Sequence, residues 1–135
     1  MTKDSLNDQF IQSDDNNNFR LVSHNKRYEA CMQGDGNFVI YSLINCSTDS
    51  RRVIYSSNTC HHGNGPYKFW CQGDGNMVIY DSKNHATWSS DTCNKHTHRP
   101  GPYHCTLYDS GSLKAFDCNN NIMWSSPIDS LLGHC

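Results

Sequence analysis

Two copies of one nonapeptide carry the densest polar chemistry in this chain. Gln33-Gly34-Asp35-Gly36-Asn37-Phe38-Val39-Ile40-Tyr41 returns as Gln72-Gly73-Asp74-Gly75-Asn76-Met77-Val78-Ile79-Tyr80, with eight of nine positions identical. Side chains alternate between the faces of an extended strand. Read that way, Gln33, Asp35, Asn37, Val39 and Tyr41 share one face, and Phe38 and Ile40 point to the other, the core. Gln72, Asp74, Asn76, Val78 and Tyr80 repeat the arrangement against Met77 and Ile79. The polar face offers two amides, a carboxylate and a phenol, donors and acceptors for several adjacent hydroxyls, beside one small aliphatic group. A ligand with neighbouring hydroxyls and one apolar edge, a sugar, matches that set. The interleaved glycines remove side chains beside it and permit a turn or a close backbone approach.

Other chemistries are poorly supplied. Glycoside hydrolysis ordinarily needs two carboxylates about 5–10 Å apart, and each nonapeptide has a single Asp and no Glu. No nucleophile–His–acid signature stands out, so an enzyme is not expected. Cys60-His61-His62 and the run from Cys93 to His98 hint at metal binding, yet no Cys-x2-Cys pair exists, and zinc modules prefer one. Gly-Asp-Gly-Asn lacks the alternating acids and closing Glu of a calcium loop. Neither a metal nor another cofactor is therefore expected. Eleven basic and 13 acidic residues leave a formal charge of -2 without a basic cluster, which argues against a nucleic-acid partner. No apolar run approaches the ~20 residues that span a bilayer, so membrane insertion is not expected.

The elements that must position these residues follow from the repeat. Ile54-Tyr55-Ser56-Ser57-Asn58-Thr59-Cys60 aligns with Thr87-Trp88-Ser89-Ser90-Asp91-Thr92-Cys93, and Met123-Trp124-Ser125-Ser126 is a third, shorter version. Tyr28, Tyr67 and Tyr103 open the units, the latter two after Gly-Pro. Three units, at about 28–60, 67–93 and 103–126, thus lie within one domain over 1–135. Glu29 is the lone glutamate and only three alanines occur; poverty in helix formers with abundant turn formers and aromatics predicts an all-β fold. No unit can bury a face alone, so three small sheets must pack around a common axis. The tryptophans and Tyr55 are the expected axial core. The third unit, read as Leu107 to Ala115, keeps only Asp109: Leu107 stands for Gln, Gly111 for Asn and Ala115 for Tyr, so no mannose binding is expected there.

Eight cysteines in a small chain predict a disulfide framework. Cys60 and Cys71 flank the first connection between units, and Cys93 and Cys105 flank the second. The repeat therefore predicts Cys60–Cys71 and Cys93–Cys105, each worth roughly 3 kcal/mol in the chain-entropy picture, and by the same symmetry Cys31–Cys135. Cys46 and Cys118 stay unassigned. The cysteines point to an extracellular location, whereas the polar first residues show no signal peptide; the cytoplasm is the alternative.

The doubled Gln-x-Asp-x-Asn-x-Val-x-Tyr pattern, together with the threefold repeat and the Trp-Ser-Ser strand ends, resembles the bulb-type (monocot mannose-binding) lectin family over roughly residues 5 to 127. The resemblance implies a β-prism II: three four-stranded antiparallel sheets with pseudo-threefold symmetry, completed by N- and C-terminal strands. It implies calcium-independent binding of α-D-mannose on glycoproteins or microbial surfaces. Asp35 and Asn37 would bond the axial O2, Gln33 the O3 and Tyr41 the O4, with Val39 against the C3–C4 edge. Asp74, Asn76, Gln72, Tyr80 and Val78 would take the same roles. Animal members can lack a signal peptide, and a homodimer through the C-terminal segment is a further implication. Multivalent agglutination in defence is the function expected; a prism with degenerate sugar sites that binds a protein partner is the alternative.

Overall fold

The computed structural model describes residues 3–43 and 51–127. Three short strands come from the N-terminal segment: β1 (Ser5–Leu6), β2 (Gln9–Gln12) and β3 (Arg20–Val22). Unit one supplies β4 (Tyr28–Met32), β5 (Phe38–Ser42) and β6 (Arg52–Ser56), and unit two β7 (Lys68–Cys71), β8 (Met77–Tyr80) and β9 (Ala86–Ser89). A single helical turn, α1 (Asn94–Thr97), precedes unit three, which forms β10 (His104–Leu107), β11 (Leu113–Phe116) and β12 (Ile122–Ser125). These strands pair as three four-stranded sheets in the orders β3-β4-β5-β6, β2-β7-β8-β9 and β1-β10-β11-β12. Every pairing is antiparallel. Each sheet thus takes one edge strand from residues 5–22 and three strands from its own unit.

Aromatic and β-branched residues at alternate positions explain both the strands and their inner faces. Phe38, Ile40, Met77, Ile79, Leu113 and Ala115 point to a common core with Leu6, Ile11 and Leu21 from the edge strands. Phe38 stacks on Phe69 with ring centroids 4.0 Å apart. Burying a phenylalanine of this kind contributes about 1.5–3 kcal/mol. Tyr55, Trp88 and Trp124 meet edge to face near the axis, with Trp124 5.9 Å from Tyr55 and 5.6 Å from Trp88. Trp70 departs from the expectation for the tryptophans. It occupies an outward-facing position of β7 and packs on Phe10 and Tyr80 at 5.1 and 6.5 Å.

The units interlock through the tyrosines that open them. A β-carbon built on Gly36 would meet Tyr67, one on Gly75 would meet Tyr103, and one on Gly111 would meet Tyr28. Each tyrosine plugs the turn of the preceding unit, and Tyr28 closes the ring against unit three.

The predicted disulfides do not form. Cys71, Cys93, Cys105 and Cys31 are free thiols, while Cys60 is disulfide-bonded. That excludes Cys60–Cys71, Cys93–Cys105 and Cys31–Cys135; Cys46 and Cys135 lie outside the described residues. Strand parity is the reason. Cys71 and Cys105 face the core, 2% and 0% exposed, and hydrogen-bond to each other. Cys93 instead sits outside β8, with its sulfur 3.6 Å from Asp74, so a bridge to Cys105 would have to cross the sheet. The hydrogen bond with Cys71, and then burial, holds the Cys105 thiol well above its usual pKa, and burial pushes Cys31 to about 12. Native alkylation is expected at Cys93 and the exposed Cys118, with Cys31, Cys71 and Cys105 modified only after unfolding. Peptide mapping by mass spectrometry checks this, and rapid native labelling of Cys71 would contradict the packing.

Two buried aspartates close equivalent turns. The Asp81 carboxylate accepts from the backbone N–H groups of His85 and Lys83 at 2.8 and 3.0 Å. Asp117 accepts from those of Asn121 and Asn119 and from the Arg99 guanidinium. The His85 and Asn121 N–H groups are the largest causes holding the two carboxyls below the usual carboxylate range. A depressed folded-state pKa gives stability that is present above the unfolded value of about 4 and is lost as pH falls through the folded value. Urea midpoints are expected to fall from about pH 5 towards pH 2. Asp117→Asn should flatten that slope, and an unchanged slope would show that other groups set it.

Candidate functional site

Both nonapeptides bend where the sequence reading kept them straight. Residues 33–37 and 72–76 are the hairpin loops between β4 and β5 and between β7 and β8, and only their last residues enter strands. The loop closes through Gln33 N–H to Asn37 C=O at 3.0 Å and Gly36 N–H to Gln33 C=O at 3.1 Å, matched by 2.9 and 3.1 Å in unit two. Gly36 and Gly75 have φ of 92° and 91°, a region that side-chain-bearing residues rarely adopt. The turn still delivers its side chains to the outer face of the following strand. Gln33 donates its amide N–H to the Tyr41 hydroxyl, and Gln72 does so to Tyr80 at 2.5 Å. All ten predicted residues therefore fall into two clusters of five, one per unit.

Within each cluster the polar groups are preset. One Asp35 oxygen accepts the Asn37 backbone N–H at 2.9 Å, and Asp74 holds Asn76 at 3.0 Å; the second oxygen is left to a ligand or a neighbour. The Asn37 carbonyl oxygen accepts from Ser56 and Ser57 hydroxyls and from Thr59 N–H at 3.0, 3.2 and 3.2 Å. Asn76 repeats this with Ser89, Ser90 and Thr92 at 3.0, 3.2 and 3.1 Å. With its oxygen saturated, each asparagine has only its amide N–H2 to offer outward. The Ser-Ser-x-Thr block, visible in the sequence as a second repeat, is thus the clamp that orients the asparagine.

The sites differ at their borders. Val39 and Val78 are each 3% exposed, so either offers a ring only a small apolar edge. Around Val39 lie Cys31, Tyr41 and Val53, with Phe19 and Leu43 alongside. Arg51 lies over the Tyr41 ring at 4.2 Å and, with Arg20, pairs with the buried Glu29. Burial raises the Tyr41 phenol above its usual pKa, so it stays a neutral donor. Around the second site stand Trp70 and Lys68, and the Cys93 thiol donates to the second Asp74 oxygen. The sequence reading missed Glu29 and its arginines, although a lone glutamate was a usable signal.

In unit three the structure shifts the predicted alignment by one residue. The closing bond, Gln33 N–H to Asn37 C=O in unit one, runs here from Tyr108 N–H to Ser112 C=O. Gly111 has the φ of 91° of the turn glycines, and the bulge lies at Ala115/Phe116 as at Ile40/Tyr41 and Ile79/Tyr80. Tyr108 therefore stands for Gln, Ser110 for Asp, Ser112 for Asn, Lys114 for Val and Phe116 for Tyr. Asp109 is not a retained site residue. Its carboxylate accepts the Asn25 N–H at 2.8 Å and its carbonyl the Asn25 side chain at 3.1 Å, fastening unit three to the β3–β4 turn. In the corrected register all five of the motif's site residues are replaced. Among the described residues, no three His, Cys, Asp or Glu gather as a metal site.

No family model matches the chain. Comitin of Dictyostelium discoideum is 44% identical over 72 residues, 53% of this chain and 39% of Comitin, so the chain spans about two fifths of that relative. A monomeric monocot mannose-binding lectin from Gastrodia elata superposes with a TM-score of 0.73 at 27% identity, covering 92% of this chain and 96% of that one. The mannose-specific agglutinin of snowdrop, Galanthus nivalis, in complex with methyl-α-D-mannoside, superposes at 0.60 with 22% identity over 94% and 92% of the chains. The three four-stranded sheets are those of the β-prism II lectins, a binding architecture and not an enzyme's.

Proposed function

From the premise that this chain has the bulb-type mannose-binding lectin fold, we propose that it is a calcium-independent lectin for mannose-containing glycans, with one site in unit one and one in unit two. The observation that carries the reading is the doubled, preset constellation: Asn37 and Asn76 are each clamped through the carbonyl by three donors. The clamp occupies the carbonyl oxygen and leaves the amide N–H2 as each asparagine's remaining polar group, two residues from the site's carboxylate. An axial hydroxyl, which both donates and accepts, satisfies the two at once. Because Gln33 donates to Tyr41, the phenol proton is free to reach a further hydroxyl. The equatorial O2 of glucose would leave both groups unpaired, which costs about 1–3 kcal/mol for each buried group.

A site this shallow holds a monosaccharide at about millimolar affinity, or about -4 kcal/mol. Two sites per chain convert that into useful avidity on branched glycans and permit agglutination of mannose-coated cells outside the producing cell. Calorimetry with methyl α-mannoside in excess EDTA tests the proposal. Two sites per chain and no response to methyl α-glucoside are expected. Absence of heat with both the monosaccharide and a trimannoside would sink it.

A further inference from the structure

Unit three keeps the scaffold of a sugar site and reverses its charge. Where units one and two have a carboxylate, Asp35 and Asp74, the corrected register places Ser110; where they have Val39 and Val78, it places Lys114. Lys114 is half-buried on β11 and makes no ion pair with any described carboxylate. Its ammonium lies 5.6 Å from the centre of the Tyr108 ring. The Asp109 carboxylate accepts the Asn25 N–H and forms no ion pair with Lys114. A partly desolvated cation without a counter-charge is poised for an anion.

The groups around it suit a sugar ring that carries such an anion. Tyr108 is 39% exposed, an aromatic face on which ring C–H groups can lie. Phe116 meets Tyr108 edge-on at 6.0 Å and is backed by His104, stacked on it at 5.0 Å. The Ser112 hydroxyl, 3.0 Å from that of Ser125, and Ser110 supply short polar groups at the turn. We infer that the outer face of unit three is a third saccharide site, for a pyranose bearing a carboxylate or a sulfate and not for neutral mannose. The hairpin presents the ring to Tyr108 while Lys114 takes the anionic group.

The test uses the full chain and NMR titration with methyl β-D-glucuronide, a 6-sulfated methyl galactoside and, as neutral control, methyl β-D-glucoside. Either acid should shift the Tyr108, Lys114 and Phe116 signals, with the effect undiminished by saturating methyl α-mannoside and weakened by salt. Which acid binds more tightly distinguishes carboxylate from sulfate recognition. Lys114→Gln should weaken binding about tenfold, and Lys114→Arg should retain it. The mannoside response of units one and two should be untouched by either change, which certifies the fold and separates failure here from failure of the mannose reading. Silence towards both acids at about 50 mM, weaker than any useful site, would overturn the inference. An equal response to the neutral glucoside, or competition by mannoside, would do the same. An oligoglutamate peptide that shifts these signals as strongly would replace the saccharide with an acidic protein partner.

Discussion

The double variant Asp35→Asn/Asp74→Asn is expected to fold with the wild-type melting temperature and to give no calorimetric response to methyl α-mannoside. Asparagine keeps the oxygen that accepts the Asn37 or Asn76 backbone N–H at 2.9 and 3.0 Å, so the turn is preserved. It replaces the second, charged acceptor oxygen with an N–H2 group that can only donate. Losing a hydrogen bond to a charged acceptor removes about 1.5–3 kcal/mol. Against a total of about -4 kcal/mol for a millimolar site, nothing measurable remains. Each single variant should retain one site per chain. Two-site heat surviving in the double variant would show that mannose, if bound, is bound elsewhere.

Gly75→Ala should be among the most destabilising small substitutions in the molecule. At φ of 91° an alanine is strained by roughly 1–2 kcal/mol, and its β-carbon would lie 2.9 Å from the Thr92 carbonyl oxygen and 3.0 Å from the Tyr103 ring. The carbonyl belongs to the residue whose N–H clamps Asn76, and the ring is the plug between units two and three. Neither can retreat without opening a seam, and overpacking of this kind adds about 1–3 kcal/mol. The sum, about 2–5 kcal/mol, is a large share of a typical 5–15 kcal/mol. The melting temperature should fall by about 10 °C or more. Gly34→Ala is the control: nothing lies within 4 Å of the built β-carbon, so its melt should stay near wild type. A near-wild-type melt for Gly75→Ala would mean that the tyrosine plug is loose.

What was legible in the sequence, and what was not, divides along physical lines. The repeat exposed three sheets, their inner faces and the ten candidate residues that the two turns carry, because near-identical sequence in two places requires the same local solution. It did not show that Gln33 to Asn37 are a hairpin loop. Period-two alternation reads alike whether it continues a strand or ends one, and the two glycines were the cue that it ends. Unit three was misaligned by matching Asp109 to the motif's aspartate. The spacing from Tyr28 to Gln33, Tyr67 to Gln72 and Tyr103 to Tyr108 is the same, and the ring-plugging tyrosines would have set the register. The disulfides failed because loop-flanking position says nothing of which side of a sheet a thiol faces; Cys71 and Cys105 turn inward and Cys93 outward.

The edge strands carry a consequence for how the chain is made. Residues 5–22 give one strand to each sheet, and Leu6 pairs with Cys105, a partner that is translated long after it. While units one and two emerge from the ribosome, β1 has nothing to pair with and the prism lacks its third wall. The most distant contacts must form last, and non-local pairing of this kind slows folding and leaves sheet edges open meanwhile. The segment that precedes the three units is therefore a latch that is closed at the end, and the unit-two turn gains its plug, Tyr103, only when unit three has arrived.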